Sequence, residues 1–244
     1  MENQFDIVIP IGPSDINIIS EQVKYTKKNI IGYRNIYLVS KYSNLHINNC
    51  ITINENIFPF SMSLIEQYHG KRNRNGWYLQ QLIKLYAGLY IPNILERYLV
   101  IDADTFFTKP TTFINEDRCL YNFGIEFHYP YFEHMFKLHP TLTKIYRDKS
   151  GICHHMMFEV KFVKELFSLV ENNREGQDKF YDIFLKNVTH YDDSGASEYE
   201  IYFNFMLKYH NDKITIRELK WCVDNPTKNT LEYDYITYHH WARQ

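Results

Sequence analysis

The chain has little that would mark it for nucleic acid, for a membrane or for secretion. Its 27 lysines and arginines are offset by 29 aspartates and glutamates, a formal charge of -2. The charges are spread along the whole length, so no basic face is expected to follow a phosphate backbone, and nucleic acid is excluded as the main partner. No apolar run reaches the ~20 residues that a membrane-spanning helix needs. Met1 is followed by polar residues, without the basic start and apolar stretch of a signal peptide. These absences predict a soluble, cytoplasmic protein, in the host cytoplasm if the source is a virus. Cysteine is scarce as well: Cys50, Cys119, Cys153 and Cys222 lie too far apart for a zinc ribbon or a redox pair, and their hydrophobic settings predict buried thiols. Internal repeats, low-complexity tracts and a convincing linker are missing too. A chain of 244 residues, 45% hydrophobic and 17% aromatic, can bury a large core, which predicts a single domain over 1–244.

What is present begins with an apolar run over 5–12, closed by Pro10 and Gly12. Such a run suits a strand buried on both faces of a parallel sheet, ending near Pro10. An amphipathic pattern over 15–28 predicts a helix and 35–40 a second strand, so the chain opens strand, helix, strand, as nucleotide-binding halves do. A short third strand is expected over 50–53. Helical spacing returns over 77–90, with Leu79, Leu82, Ile83, Tyr86 and Leu89 on it. Next comes Arg97-Tyr98-Leu99-Val100-Ile101, an apolar strand that ends abruptly at Asp102-Ala103-Asp104. The stretch 111–160 reads as irregular, and further helices are expected over 159–173, 176–187 and 197–209. The fold class predicted is α/β, a mainly parallel sheet flanked by helices, with a first half over about 1–110 and a less regular second half over about 111–244.

Two carboxylates one residue apart on an extended strand point the same way, because side chains alternate with period two. Asp102 and Asp104 are therefore expected to converge on one ion. Hard divalent cations such as Mg²⁺ or Mn²⁺ favour oxygen ligands and commonly complete their shell with substrate phosphates. An isolated Asp-x-Asp is more often a solvated loop at a strand end. The hydrophobic strand before this pair and the strand-helix-strand opening argue for a site, since ligands bind beyond the carboxyl ends of strands in open α/β sheets.

With Val100-Ile101-Asp102-Ala103-Asp104 the sequence resembles the GT-A glycosyltransferases, in which a hydrophobic strand followed by Asp-x-Asp holds the metal of a nucleotide sugar. More narrowly, that pair together with Gly76–Lys84, Cys153–Phe158 and Ser197–Glu200 looks like a little-characterised group of sugar transferases of bacteria and large viruses. The resemblance implies a Rossmann-like donor half, a Mn²⁺ or Mg²⁺ ion, a nucleotide diphosphate donor, with UDP-sugar the first expectation, and a glycan or other hydroxyl-bearing acceptor.

The remaining candidates follow from position. Pro10, Ile11, Gly12 and Asp15 lie just past the first strand, where base and ribose sit in the implied fold; for Asp15 a helix N-cap is the competing role. The basic segment 71–74 leads into a helix on which Gln80, Gln81 and Lys84 share a face and are expected near the donor phosphates; a solvated basic run is the plainer explanation of 71–74. His154 and His155 are adjacent, so on a strand at most one enters the site, to meet the acceptor or a phosphate, and the other is a core histidine. An inverting transferase needs a carboxylate base for the acceptor hydroxyl. Glu198 is the first candidate, with Asp192 and Asp193 as rivals; a retaining enzyme needs none. Glu200 stands three residues after Ser197, the spacing of a capping box. In related enzymes a late histidine joins the metal, which implies His239 or His240 beside Asp102 and Asp104; the competing role is a terminal aromatic patch over the core. Two other functions compete. A sugar nucleotidyltransferase would carry a Gly-rich phosphate loop where 10–14 has one glycine, and a non-catalytic nucleotide-sugar or glycan-binding module would not need the acidic pair.

Overall fold

A computed structural model of the chain describes residues 4–42, 44–173, 176–227 and 232–243. The first strand, Phe5–Pro10, is buried along its whole length. It pairs in parallel with Tyr33–Ser40 on one side and with Arg97–Ile101 on the other. The central sheet runs, in spatial order, His155–Glu159, Arg97–Ile101, Phe5–Pro10, Tyr33–Ser40, Ile51–Asn54, and its pairings are parallel except for the antiparallel edge His155–Glu159. The chain thus builds outward from the first strand and then returns to its other side. In a doubly wound sheet that reversal opens a crevice above the carboxyl ends of the two strands that flank it, here Pro10 and Ile101.

The helix Asn75–Tyr90 covers one face of this sheet. Gly88 sets how close it comes: a Cβ there would lie 2.5 Å from the Tyr98 ring and 2.7 Å from Val160. Lys84 stands one turn earlier on the same face, because residues four apart on a helix are neighbours. The tight approach at Gly88 therefore brings the Lys84 stem down toward the end of the acidic strand.

A second, smaller sheet carries the end of the chain back to the first half. Tyr235–Thr237 pairs antiparallel with Thr105–Phe107 and parallel with Trp221–Val223. The register sets Thr237 opposite Thr105, and the Tyr238 N–H continues it by donating to the Asp104 carbonyl at 2.8 Å. This pairing delivers residue 239 to the acidic turn. One continuous hydrophobic cluster, from Phe5 to Tyr235, underlies both sheets.

Several local expectations change. The helix expected over 15–28 is Ile19–Asn29, preceded by the 3-10 turn Pro13–Asp15, and its N-terminal residue Ile18 offers no side-chain cap, so Asp15 is not an N-cap. The stretch 111–160 contains the helix Tyr129–Leu138, with Pro130 in its first turn where the missing N–H costs nothing. The helix Met62–His69 was likewise not expected; Ser61 caps it by accepting the Leu64 N–H. Of the four thiols Cys119 and Cys153 are buried, while Cys50 and Cys222 are half-buried, because they lie at the margins of the sheets. Among the described residues no helix is long and apolar enough to cross a membrane.

Candidate functional site

Above Pro10 and Ile101 lies a cleft of about 670 Å³, within the range of small-molecule sites. Its floor is the acidic turn. Asp102, Ala103 and Asp104 do not continue the strand: the Asp102 carbonyl accepts the Thr105 N–H at 3.0 Å, closing a tight turn. Both acids line the cleft, but the turn sends their carboxylates to different partners instead of side by side.

Asp102 is held from below. Its Oδ1 accepts from Lys84 Nζ at 2.5 Å and from the Tyr199 hydroxyl at 2.9 Å, and its Oδ2 lies 3.3 Å from His154 Nδ1. Lys84 also donates to Glu198 Oε1 at 2.7 Å, and its ammonium stands 4.4 Å from the centre of the Tyr199 ring. Burial alone would raise the Asp102 pKa, but the Lys84 charge and His154 hold it well below the usual carboxylate range. Burial also works against the Lys84 ammonium, and the Asp102 and Glu198 charges outweigh it and push its pKa up. Burial raises the Glu198 carboxyl, with Lys84 offsetting part of the effect.

Asp104 is held from above. Its Oδ2 is 2.9 Å from His239 Nδ1 and 3.8 Å from Arg243 Nη2. Arg243 also donates to Asp15 Oδ1 at 2.9 Å, to the Ser14 carbonyl at 2.8 Å and to the Tyr238 carbonyl at 2.7 Å, so it fastens the end of the chain to the loop after the first strand. Burial raises Asp15, with the Arg243 hydrogen bond acting against it. At His239 burial lowers the imidazole pKa, but the Asp104 carboxylate outweighs it and raises it overall.

The expected site residues divide cleanly by position. Pro10, Ile11, Gly12, Asp15, Lys84, Asp102, Ala103, Asp104, His154, His239 and His240 all line the cleft. His154 has φ +62, a left-handed conformation uncommon outside glycine. It turns its ring toward Asp102 just before the strand begins, and His155 on the strand faces the core, packed against Phe107, Phe113 and Tyr235. Burial pushes the His155 imidazole pKa down to about 3.

Four expected residues are elsewhere. His155 is core. Gln81 is buried, its Oε1 accepting the Glu198 N–H at 3.1 Å. Glu198 is 3% exposed and sits behind Lys84, off the cleft wall, because the first turn of its helix points into the core. Asp193 is in an exposed loop, where its Oδ1 accepts the Ser194 N–H; its neighbour Asp192 pairs with Arg72 at 2.8 Å. Neither Glu198 nor Asp193 is among the residues that line the cleft. Glu200 has its backbone N–H on Ser197 Oγ, as the capping spacing predicts, but its carboxylate turns to Ser150 and Asn204 instead of back to the helix start. Gln80 and, from the basic segment, Arg74 also line the cleft, with Trp77 at the head of the long helix and Trp241 beside His240; Lys41, Glu55 and Met62, which had no assignment from sequence, complete the walls.

Among the described residues no three His, Cys, Asp or Glu side chains form a ready-made metal cage. The donor set nevertheless fits a divalent ion that keeps open positions. The 2.9 Å between His239 Nδ1 and Asp104 Oδ2 matches the edge of an octahedron with bonds of about 2.1 Å. The linked group around the turn, moreover, joins the carboxylates Asp15, Asp102, Asp104 and Glu198 to two fixed cations, Lys84 and Arg243. With Glu55, Lys41 and Arg74 on the same walls, carboxylates outnumber fixed cations by one, a balance that favours a cation.

The fold, a mainly parallel sheet flanked by helices, is similar to that of a solved glycosyltransferase. The crystal structure of mouse xyloside xylosyltransferase 1 in its apo form is similar over 99% of this chain and 99% of its own, with a TM-score of 0.51 and 9% sequence identity; at that identity the likeness is one of fold. By sequence the chain belongs to the family described as DUF6492, a family of unknown function, whose profile matches residues 30–231. No curated protein matches it.

Proposed function

We propose that this protein is a metal-dependent glycosyltransferase that moves a sugar from a nucleoside diphosphate donor to a hydroxyl-bearing acceptor. The GT-A resemblance points to a UDP-sugar as the donor. The observation that carries the proposal is the presence of Asp102, Asp104 and His239 on one cleft at the switch point of the sheet, where carboxylates outnumber fixed cations and the space is large enough for a nucleotide sugar. In this reading Asp104 and His239, with the Asp102 oxygen that faces His154, would hold Mn²⁺ or Mg²⁺. When bound, the ion neutralises the charge that builds on the leaving diphosphate, a Lewis-acid contribution of several kcal/mol.

The protein's own groups do the rest. The loop over 10–15 receives the base and ribose through its backbone. Arg74 and Trp77 on the facing wall meet the outer part of the donor, the guanidinium as a phosphate partner and the indole as an apolar surface. His154 sets its Nδ1 against Asp102 and has its Nε2 buried, so in this reading it orients Asp102 from the cleft wall. Lys84 is already committed to Asp102 and Glu198, so its task is to keep Asp102 ionised and still, which counts because preorganised charge contributes most to such transfers.

The experiment is thermal stabilisation by nucleoside diphosphates with Mn²⁺, with Mg²⁺ and with chelator, followed by release of sugar from the donor that stabilises best. A ligand that binds only the native state raises the melting midpoint. A Mn²⁺-dependent rise with one nucleotide, together with sugar release, is the expected result. A rise without release would assign a binding module instead, and no rise with any nucleotide would overturn the proposal.

A further inference from the structure

Glu198 and Tyr199 begin one helix and act on Asp102 in opposite directions. The Glu198 carboxylate shares the Lys84 ammonium with Asp102, at 2.7 Å and 2.5 Å respectively. Whatever part of that charge Glu198 takes up is withdrawn from Asp102. Tyr199 donates its hydroxyl to Asp102 Oδ1 at 2.9 Å, drawing electron density from the carboxylate. Glu198 is itself held in place, since its backbone N–H is fixed on Gln81 Oε1 and Ser197 caps the helix. The side chains of Lys84 and Glu198 are 5% and 4% exposed, so solvent screens these charges little.

We infer that Glu198 and Tyr199 are positioning residues that set the affinity of Asp102 for a divalent cation, Glu198 raising it through Lys84 and Tyr199 lowering it. The inference rests on the reading of the cleft as a metal-nucleotide site. Groups that hold a metal ligand without touching the metal typically change its affinity 10–100-fold when removed, so the two effects are separable in sign as well as in size. A residue that only stabilised the helix would, on removal, weaken binding whichever of the two it was.

The test is titration of the full chain with Mn²⁺, reading free Mn²⁺ by electron paramagnetic resonance with and without UDP, with far-UV circular dichroism to check folding. Glu198→Gln is expected to raise the Mn²⁺ Kd about tenfold, and Glu198→Asp to recover much of the loss. Tyr199→Phe is expected to lower the Kd severalfold. Weakening in both variants, or no change in either, overturns the inference while leaving the metal reading in place. If Glu198→Gln does not fold, a weaker Kd in Tyr199→Phe alone is enough to overturn it. A wild-type chain that takes up no Mn²⁺ even with UDP removes the proposed function, and this inference with it.

Discussion

The two acids of one turn sit in unlike surroundings. Asp102 rests on a buried group, Lys84, Glu198 and Tyr199, whose members come from two helices packed in the body of the fold. Asp104 meets a clasp, His239 and Arg243, supplied by the last described residues, and their side chains are 23% and 12% exposed. The first arrangement is locked by burial, because separating any member leaves a charge without a partner in low dielectric. The second can exchange: an ion or a phosphate can replace a contact that water already reaches. In the proposed reading this division would keep one acid still and leave the other free to exchange its partners.

The comparison breaks first at Lys84. Lys84→Met leaves two buried carboxylates uncompensated, and such a loss costs about 3–5 kcal/mol. For a chain of this length that is a fall in melting midpoint of roughly 6–20 °C, at about 2–4 °C per kcal/mol. A fall of a degree or two would mean that Lys84 is not the keystone of the buried group.

Acid should weaken the core while the clasp holds through His239. His134, with its Nε2 on the Phe184 carbonyl at 2.9 Å, is buried and its pKa is pushed down to about 4; His155 is pushed lower still. A depressed imidazole binds fewer protons folded than unfolded. Its contribution is therefore complete above the unfolded pKa of about 6.5 and is lost as the pH falls toward the folded value, about 3 kcal/mol in full for His134. Equilibrium denaturation between pH 7 and 4 should show this loss in wild type and a larger one in Asp104→Asn, because Asp104 raises the His239 pKa and the stability so gained is fully present only below the unfolded imidazole pKa. Equal losses in the two proteins would take the His239 imidazole out of the acid transition.

Asp104→Asn is expected to lower metal-dependent turnover at least 100-fold, about 2.7 kcal/mol of barrier, with the melting midpoint almost unchanged in chelator. That combination is what an exchangeable ligand predicts. Loss of fold together with activity would make Asp104 as structural as Asp102.

The two regions also differ in how far the sequence discloses them. The first strand, the acidic strand and the helix over 77–90 announce themselves by unbroken or periodic apolar residues, and the opposite facing of His154 and His155 follows from their adjacency. The geometry of Asp102 and Asp104 does not, because a turn replaces the expected strand after Ile101 and divides the pair. Glu198 has a local pattern that suggests an exposed acid beside a loop; its partner Lys84 is 114 residues away, and only the packing of one helix on another joins them. Arg243 carries no sequence signal for its role, since its place depends on the pairing of Thr237 with Thr105. The Pro130 helix was hidden by a run of histidines and aromatics, although proline in a first turn is itself a start signal.

His239→Ala should weaken Mn²⁺ binding by about 10–100-fold, as loss of one ligand or its holder does, and the same change at His240 should do little, because His240 lines the cleft without contacting either acid. Titration with Mn²⁺ decides between them; equal losses would mean that the clasp works as a unit, without a single ligand.

The smallest effect separates the clasp from the metal. Arg243 and a divalent ion both neutralise Asp104, and charges that serve the same carboxylate oppose each other's binding. Arg243→Ala in chelator should lose about 1–2 kcal/mol, since its hydrogen bonds to Asp15, Ser14 and Tyr238 go with it. In saturating Mn²⁺ the deficit should shrink, because the variant binds the ion severalfold more tightly and gains more stabilisation from it. Melting both proteins in chelator and in Mn²⁺ closes this cycle. A deficit that stays the same in both conditions would show that Arg243, although 3.8 Å from Asp104 Oδ2, holds the loop over 10–15 and has no share in the charge that the metal answers.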